Sequence, residues 1–281
     1  NKVKSTPHTE DAEGADVAID AALSYAQTVA DDANSGLDLL RATIESTNQA
    51  GMDFLASATP ASVDEPFDIT FLVTNASISD NTGWSVAPTF NFSCLEFYQA
   101  TFDFNQTITG LPAGTYKTTV QAFQRPGAYA TAYSDYVNGT NKVTTYLYAN
   151  TESVKVAHIG TEARTSKLGG TEAAVGSPVR YIPDNMEAAS KYFAKGLYEN
   201  EIMTELAEGK NSLKIGLRCS SSSDGYWTIF DNFHLYYYGD MTKDHITGID
   251  EVVTGADNVP AAVYNLHGQK VGNTLNGLPR G

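Results

Sequence analysis

Between Asp224 and Gly239 the chain reads DGYWTIFDNFHLYYYG, with bulky apolar side chains at nearly every second position. A period of two belongs to a β-strand, and one this apolar requires a sheet buried around it. Strict alternation puts Trp227, Ile229, Phe233, Leu235 and Tyr237 on one side, and Thr228, Phe230, Asn232, His234 and Tyr236 on the other. Asp231 then falls on the most apolar side, where an ionised carboxylate is costly unless it is bonded or neutralised. Two kinds of partner are open to it: a structural calcium ion, or a protein donor such as Arg218, a tyrosine or a backbone N–H.

The rest of the chain divides around this strand. Residues 1–14 are polar and read as a linker or tail. Across residues 15–60, Val17, Ile19, Ala22, Leu23, Ala26, Val29 and Ala30 recur at helical spacing to about Ala33. A second helical pattern follows through Leu37, Leu40 and Ile44, with a break expected near Gly51 and a stop at Pro60. Two helices alone make a poor core and must pack on something else.

Over residues 65–240 the helical period gives way to short alternating runs. Phe67 to Val73 alternates. Phe102 to Ile108, the turn LPAG and TYKTTVQAFQR read as a hairpin. Further strands are expected at 144–149, 153–158, 198–206 and 212–218. NMEAASKYFAK is the helical insert among them, capped by Asn185. Many short strands with two long connections predict a mainly β chain: a jelly-roll β-sandwich with a short N-terminal helical segment. Residues 241–281 form a polar hinge and a tail, AAVYNLHGQKV and LNGLPRG, that can add two small strands.

Composition narrows the function. Eighteen Lys and Arg against 33 Asp and Glu give a net charge of −15, which argues against nucleic acid or an anionic membrane as partner. No apolar run approaches the ~20 residues of a transmembrane segment. The two cysteines, Cys94 and Cys219, permit one disulfide or two buried thiols, and no cysteine–histidine cluster has zinc spacing. The five histidines are scattered, and no nucleophile elbow, HExxH or phosphate-cradling loop is present. A catalytic function has no positive sign.

The series TFDFNQTITGLPAGTYKTTVQAFQRPG, TTYLYANTESVKVAHI, NMEAASKYFAKGLYENEI and SLKIGLRCSSSSDGYWTIFDNFHLYYYG resembles the galactose-binding-domain-like sandwiches of secreted proteins of Gram-negative gut bacteria. Asn75 to Trp84 is similar to the opening of carbohydrate-binding modules with that fold, with Ile78 in place of an aromatic and Ser79 in place of an acid. The resemblance implies a secreted or outer-membrane-associated, polysaccharide-handling protein, with Asp231 as the strand ligand of a structural calcium. Residues 15–58 look like a helical linker found beside such modules. VYNLHGQKV with LNGLPRG is similar to a C-terminal secretion-sorting tail.

A sugar offers an apolar C–H face and a rim of hydroxyls, so its sites pair tyrosine or tryptophan with planar hydrogen-bonding groups. The chain has 16 tyrosines. Those at 129, 133 and 136 fall in what reads as a long loop rooted at Arg125, and Tyr226 precedes the last strand. Arg125, Tyr129, Tyr133, Tyr136 and Tyr226 are therefore the candidate glycan-binding residues. The competing role for such tyrosines is to staple a loop to the body. Trp84 and Trp227 read as core. The expected function is a non-catalytic carbohydrate-binding module with no cofactor other than the calcium named above. The alternatives are a structural or adhesion spacer that binds another protein, and a domain associated with a glycoside hydrolase.

Overall fold

The structure is a computed structural model that describes residues 2–9, 13–80 and 82–248, together with the backbone of 263–264 and 270–272. A short helix α1 (Lys2–Ser5) leads to α2 (Glu13–Asp31) and α3 (Leu37–Ser57), which pack on each other. Helix α3 runs through Gly51 without a break. A mid-helix glycine costs about 1 kcal/mol, and the burial of Met52, Phe54 and Leu55 just beyond it outweighs that. Phe54 meets Phe67 edge-on at 5.7 Å, and Phe67 stacks on Tyr237, so the helical pair is anchored to the last long strand.

The β region begins with β1 (Phe67–Asp68), β2 (Thr89–Asn91), β3 (Cys94–Tyr98), β4 (Phe102–Thr109) and β5 (Gly114–Arg125), then helix α4 (Tyr129–Val137). Next come β6 (Thr145–Ala149), β7 (Glu152–Lys155), β8 (Ala157–His158), β9 (Glu172–Val175), β10 (Arg180–Pro183) and α5 (Met186–Phe193). The long strands β11 (Glu199–Leu206), β12 (Ser212–Cys219) and β13 (Trp227–Tyr237) close the body, followed by α6 (Lys243–Thr247). The tail contributes β14 (Val263–Tyr264) and β15 (Lys270–Gly272), paired with each other as the alternation there allows. LNGLPRG lies outside the described residues.

Two sheets face each other. One has the order β11-β5-β13-β3-β2, with β1 added to β13 and β8 to β5; the other has the order β4-β12-β6-β7. Between them lie Phe104, Leu147, Leu213 and Ile215 from one sheet and Tyr116, Val120, Phe230 and Leu235 from the other. Trp84 belongs to this core, stacked on Phe104 at 4.3 Å. The chain is thus a mainly β sandwich with N-terminal helices.

Three local expectations are corrected. β4 and β5 do not form a hairpin: β4 pairs with β12, and β5 pairs with β11 and β13. Both strands have apolar inner faces, and the LPAG turn carries the chain across the core from one sheet to the other, as in a jelly roll. The alternating run Phe67–Val73 gives only a two-residue strand before a 3-10 turn at Thr70–Leu72, because the Asp68 carboxylate accepts from Thr70 N–H and turns the chain. The supposed loop after Arg125 contains helix α4. Its residues 129, 132, 133, 136 and 137 carry a helical stripe, with Ala132 buried beneath it.

The organising strand holds the largest surprise. Its pairing with β5 shifts register between Asp231 and His234, and Asn232 adopts φ 52°. A bulge of this kind moves every later side chain to the opposite face. Trp227 and Ile229 therefore join a second apolar cluster on the outside of the large sheet, while Phe230, Phe233, Leu235 and Tyr237 enter the core between the sheets. Burial follows the change: every residue from Trp227 to Asp231 is buried, and from Asn232 onward burial alternates. The second cluster is roofed by α4, the β9–β10 hairpin and α5. It also explains why every residue of β5 from Thr118 to Gln124 is buried.

Candidate functional site

Where this roof ends, the same sheet face emerges as a cleft. Tyr98, Trp227 and Arg125 lie side by side in register on β3, β13 and β5, and neighbouring strands are about 4.8 Å apart. The Arg125 guanidinium lies over the Trp227 ring, 5.2 Å from its centre, and Nη1 donates to Asp184 Oδ1 at 2.5 Å. Trp227 Nε1 donates to Glu96 Oε2 at 2.6 Å. Asp184 stands just before Asn185, whose side chain caps α5 by accepting from Ala188 N–H. The cleft encloses about 420 Å³, with Asn91 and Phe92 on its far rim. Two carboxylates share it with one guanidinium, and that guanidinium is already paired.

Two aromatic rings at this cleft face solvent: Tyr98 is 53% exposed and Phe92 48%. Phe92 and Ser93 form the two-residue turn between β2 and β3, at φ 49° and 55°. Both are left-handed positions suited to asparagine or glycine. Holding a phenylalanine there stores backbone strain, a feature concentrated at functional sites. Here it places an apolar ring on the rim.

The five residues singled out in the sequence do not gather in one cleft, although the Tyr133 and Tyr136 rings lie 6.3 Å apart. Arg125 lines this cleft. Tyr133 lines a different one, between α4 and the β9–β10 hairpin. Tyr129 is 42% exposed at the start of α4. Tyr136 stacks on His158 at 5.3 Å and covers Gly160, whose absent side chain makes room for it. Tyr226 is half-buried, with its carbonyl accepting from Gln99 N–H. Glu96, Tyr98 and Asp184 were not singled out. For the first two the signal was present in SCLEFYQ, where Leu95 and Phe97 alternate with Glu96 and Tyr98.

Asp231 is 8% exposed, and its Oδ1 accepts from Asn232 N–H at 2.7 Å. Of the candidate partners it is the backbone N–H that meets it. Arg218 lies in the other sheet, over the Tyr148 ring. Burial outweighs the single N–H and pushes the Asp231 pKa up to about 7. Calcium takes roughly six to eight oxygen ligands. Among the described residues no group of three or more His, Cys, Asp or Glu could hold a metal ion. Cys94 and Cys219 are both buried free thiols. Cys94 is pushed up to about 12 by burial and by the nearby charges of Asp231 and Glu96. His158 is lowered to about 4 by burial, while its Nδ1 accepts from Gly160 N–H.

No family model matches the chain. No curated protein matches it either. Among solved structures it is similar to the carbohydrate-binding module TmCBM61 in complex with beta-1,4-galactotriose, at 16% identity over 51% of this chain and 70% of that one, with a TM-score of 0.23. The β-sandwich described above stands on its own sheets and registers.

Proposed function

We propose that the chain is a non-catalytic carbohydrate-binding module of a secreted or outer-membrane-associated protein of a Gram-negative bacterium, with the cleft at Tyr98, Trp227 and Arg125 as its glycan site. The observation that carries this reading is the row itself: an exposed tyrosine and a guanidinium on either side of Trp227, with two oriented carboxylates, in an open cleft. Tyr98 offers a face for sugar C–H groups, and Glu96, Asp184 and Arg125 offer planar partners for hydroxyls. Arg125 enters from the sequence-level candidates; Tyr129, Tyr136 and Tyr226 sit outside the cleft. Glu96 is engaged by an indole N–H and Asp184 by a guanidinium. That arrangement fixes one acceptor oxygen of each acid in the cleft.

Retention on gels of neutral polysaccharides tests the reading. Tyr98→Ala and Arg125→Ala abolish retention, and Tyr129→Ala does not. Retention of wild type with no loss in Tyr98→Ala would sink the assignment, and release of reducing sugar would overturn the non-catalytic part. A spacer that contacts another protein is favoured by one feature, the exposed Val17, Leu37, Leu39 and Ile44 on α2 and α3. No described helix is long and apolar enough to cross a membrane.

A further inference from the structure

The cleft that takes in Tyr133 has the opposite electrical character. It encloses about 390 Å³ between α4 and the tip of the β9–β10 hairpin, and Arg180 is its one charged lining residue. Arg180 pairs across the hairpin with Val175 and shares a strand face with Ile182, both buried in the outer apolar cluster. The side chain is half-buried at the edge of that cluster. Among the described residues its guanidinium has no ion-pair or hydrogen-bond partner, and its nitrogens are open to water. With 33 acidic side chains against 18 basic ones, acids are abundant, yet none is set against it. A guanidinium that reaches water and has no acceptor on the protein keeps its donors free for an incoming anion.

The other walls are built. Gly176 has φ 70°, and a Cβ there would lie 2.5 Å from Tyr133 Cε1, so the glycine lets the hairpin tip rest against the tyrosine ring. Ser134 on α4 and Asn138, the residue that caps its C-terminus, are joined by a 3.4 Å contact from Asn138 Nδ2 to Ser134 Oγ. The Asn138 carbonyl oxygen and the serine hydroxyl proton remain available for sugar hydroxyls.

We infer that this second cleft binds a carboxylate-bearing sugar, a uronic acid unit of a glycan, with Arg180 taking the carboxylate and Tyr133 walling the ring. The inference is independent of the first cleft, where Glu96 and Asp184 repel such a carboxylate. A guanidinium accepts a carboxylate through two parallel hydrogen bonds, which a lysine cannot reproduce.

Calorimetry at low and high salt with oligogalacturonate, a glucuronate-substituted xylo-oligosaccharide and oligoalginate provides the test, with neutral galacto-oligosaccharides alongside. At least one uronate binds, more weakly as salt rises. Arg180→Gln weakens it by about tenfold or more, as expected for loss of a charge-assisted pair. Arg180→Lys restores part of the loss, and Tyr98→Ala leaves uronate binding unchanged. Equal melting temperatures of wild type and Arg180→Gln exclude misfolding as the cause, and Asn138→Ala supplies a second, milder loss. The proposal fails if no uronate binds, if Arg180→Gln binds as wild type, or if Tyr98→Ala abolishes uronate binding. Binding of a poly-glutamate peptide without any uronate also overturns it. Loss of neutral-glycan binding alone overturns only the first cleft.

Discussion

Replacing Asp231 by asparagine isolates the most unusual electrostatic feature of the fold. The unfolded chain releases the Asp231 proton near the ordinary value of 3.8, whereas burial in the folded protein holds it to about 7. Between those values the native state binds the extra proton, so its stability falls as pH rises through the window and levels off above it. At about 1.4 kcal/mol per pH unit, moving an ionisation from 3.8 to about 7 costs on the order of 4 kcal/mol at pH 7 and above. Asparagine has no ionisation to suppress, and its side-chain oxygen still accepts the Asn232 N–H. Asp231→Asn is therefore expected to match wild type near pH 4 and to gain stability progressively to pH 7, holding the gain at pH 8.5. Urea unfolding at pH 4, 5.5, 7 and 8.5 measures the difference directly. A difference that does not change with pH would refute the reasoning. So would a variant less stable than wild type at pH 8.5, which is the result a carboxylate bound to calcium would give.

Other outcomes follow from the packing. His158 carries the opposite slope: its ionisation is depressed from 6.5 to about 4, so the stability it contributes is complete above pH 6.5 and is lost as pH falls toward 4. In wild type the two slopes oppose each other, and Asp231→Asn exposes the histidine's, which the double variant with His158→Gln removes; unfolding midpoints across pH 4–7 report both. Trp84→Ala strips the ring that stacks on Phe104 and Phe233, and should cost about 3–5 kcal/mol by denaturant unfolding while leaving the solvent-exposed cleft residues in place. Ser93→Gly relieves a left-handed position in the β2–β3 turn and should raise stability by roughly 0.4–1 kcal/mol without altering glycan retention.

Much of the β framework was legible because its signal is local. β6, β11 and β12 and the Asn185-capped helix fall within a residue or two of their expected places. Each has its own alternation or cap, and neighbours only reinforce it. Helix α4 was equally local but hidden, since Pro126, Gly127 and three tyrosines resemble a loop more readily than a helical stripe. The site was less legible. Arg125 was named, but its partners Glu96, Tyr98 and Asp184 come from distant segments, brought together by the pairing of β3, β13 and β5 and by the position of α5.

In DGYWTIFDNFHLYYYG the amino acids alone determine that there is a strand, that it is buried, and that Asp231 is out of place in it. They do not determine which side chain faces which layer. One extra residue at the bulge reverses the facing of everything after it, and a bulge exists only where a partner strand is present to be out of register with. The second apolar layer, built from α4, α5 and a hairpin far apart in the chain, buries Trp227 and Ile229, suppresses the charge of Asp231 and stops short enough to leave a cleft. Those outcomes depend on which surfaces meet, and tertiary packing alone decides that.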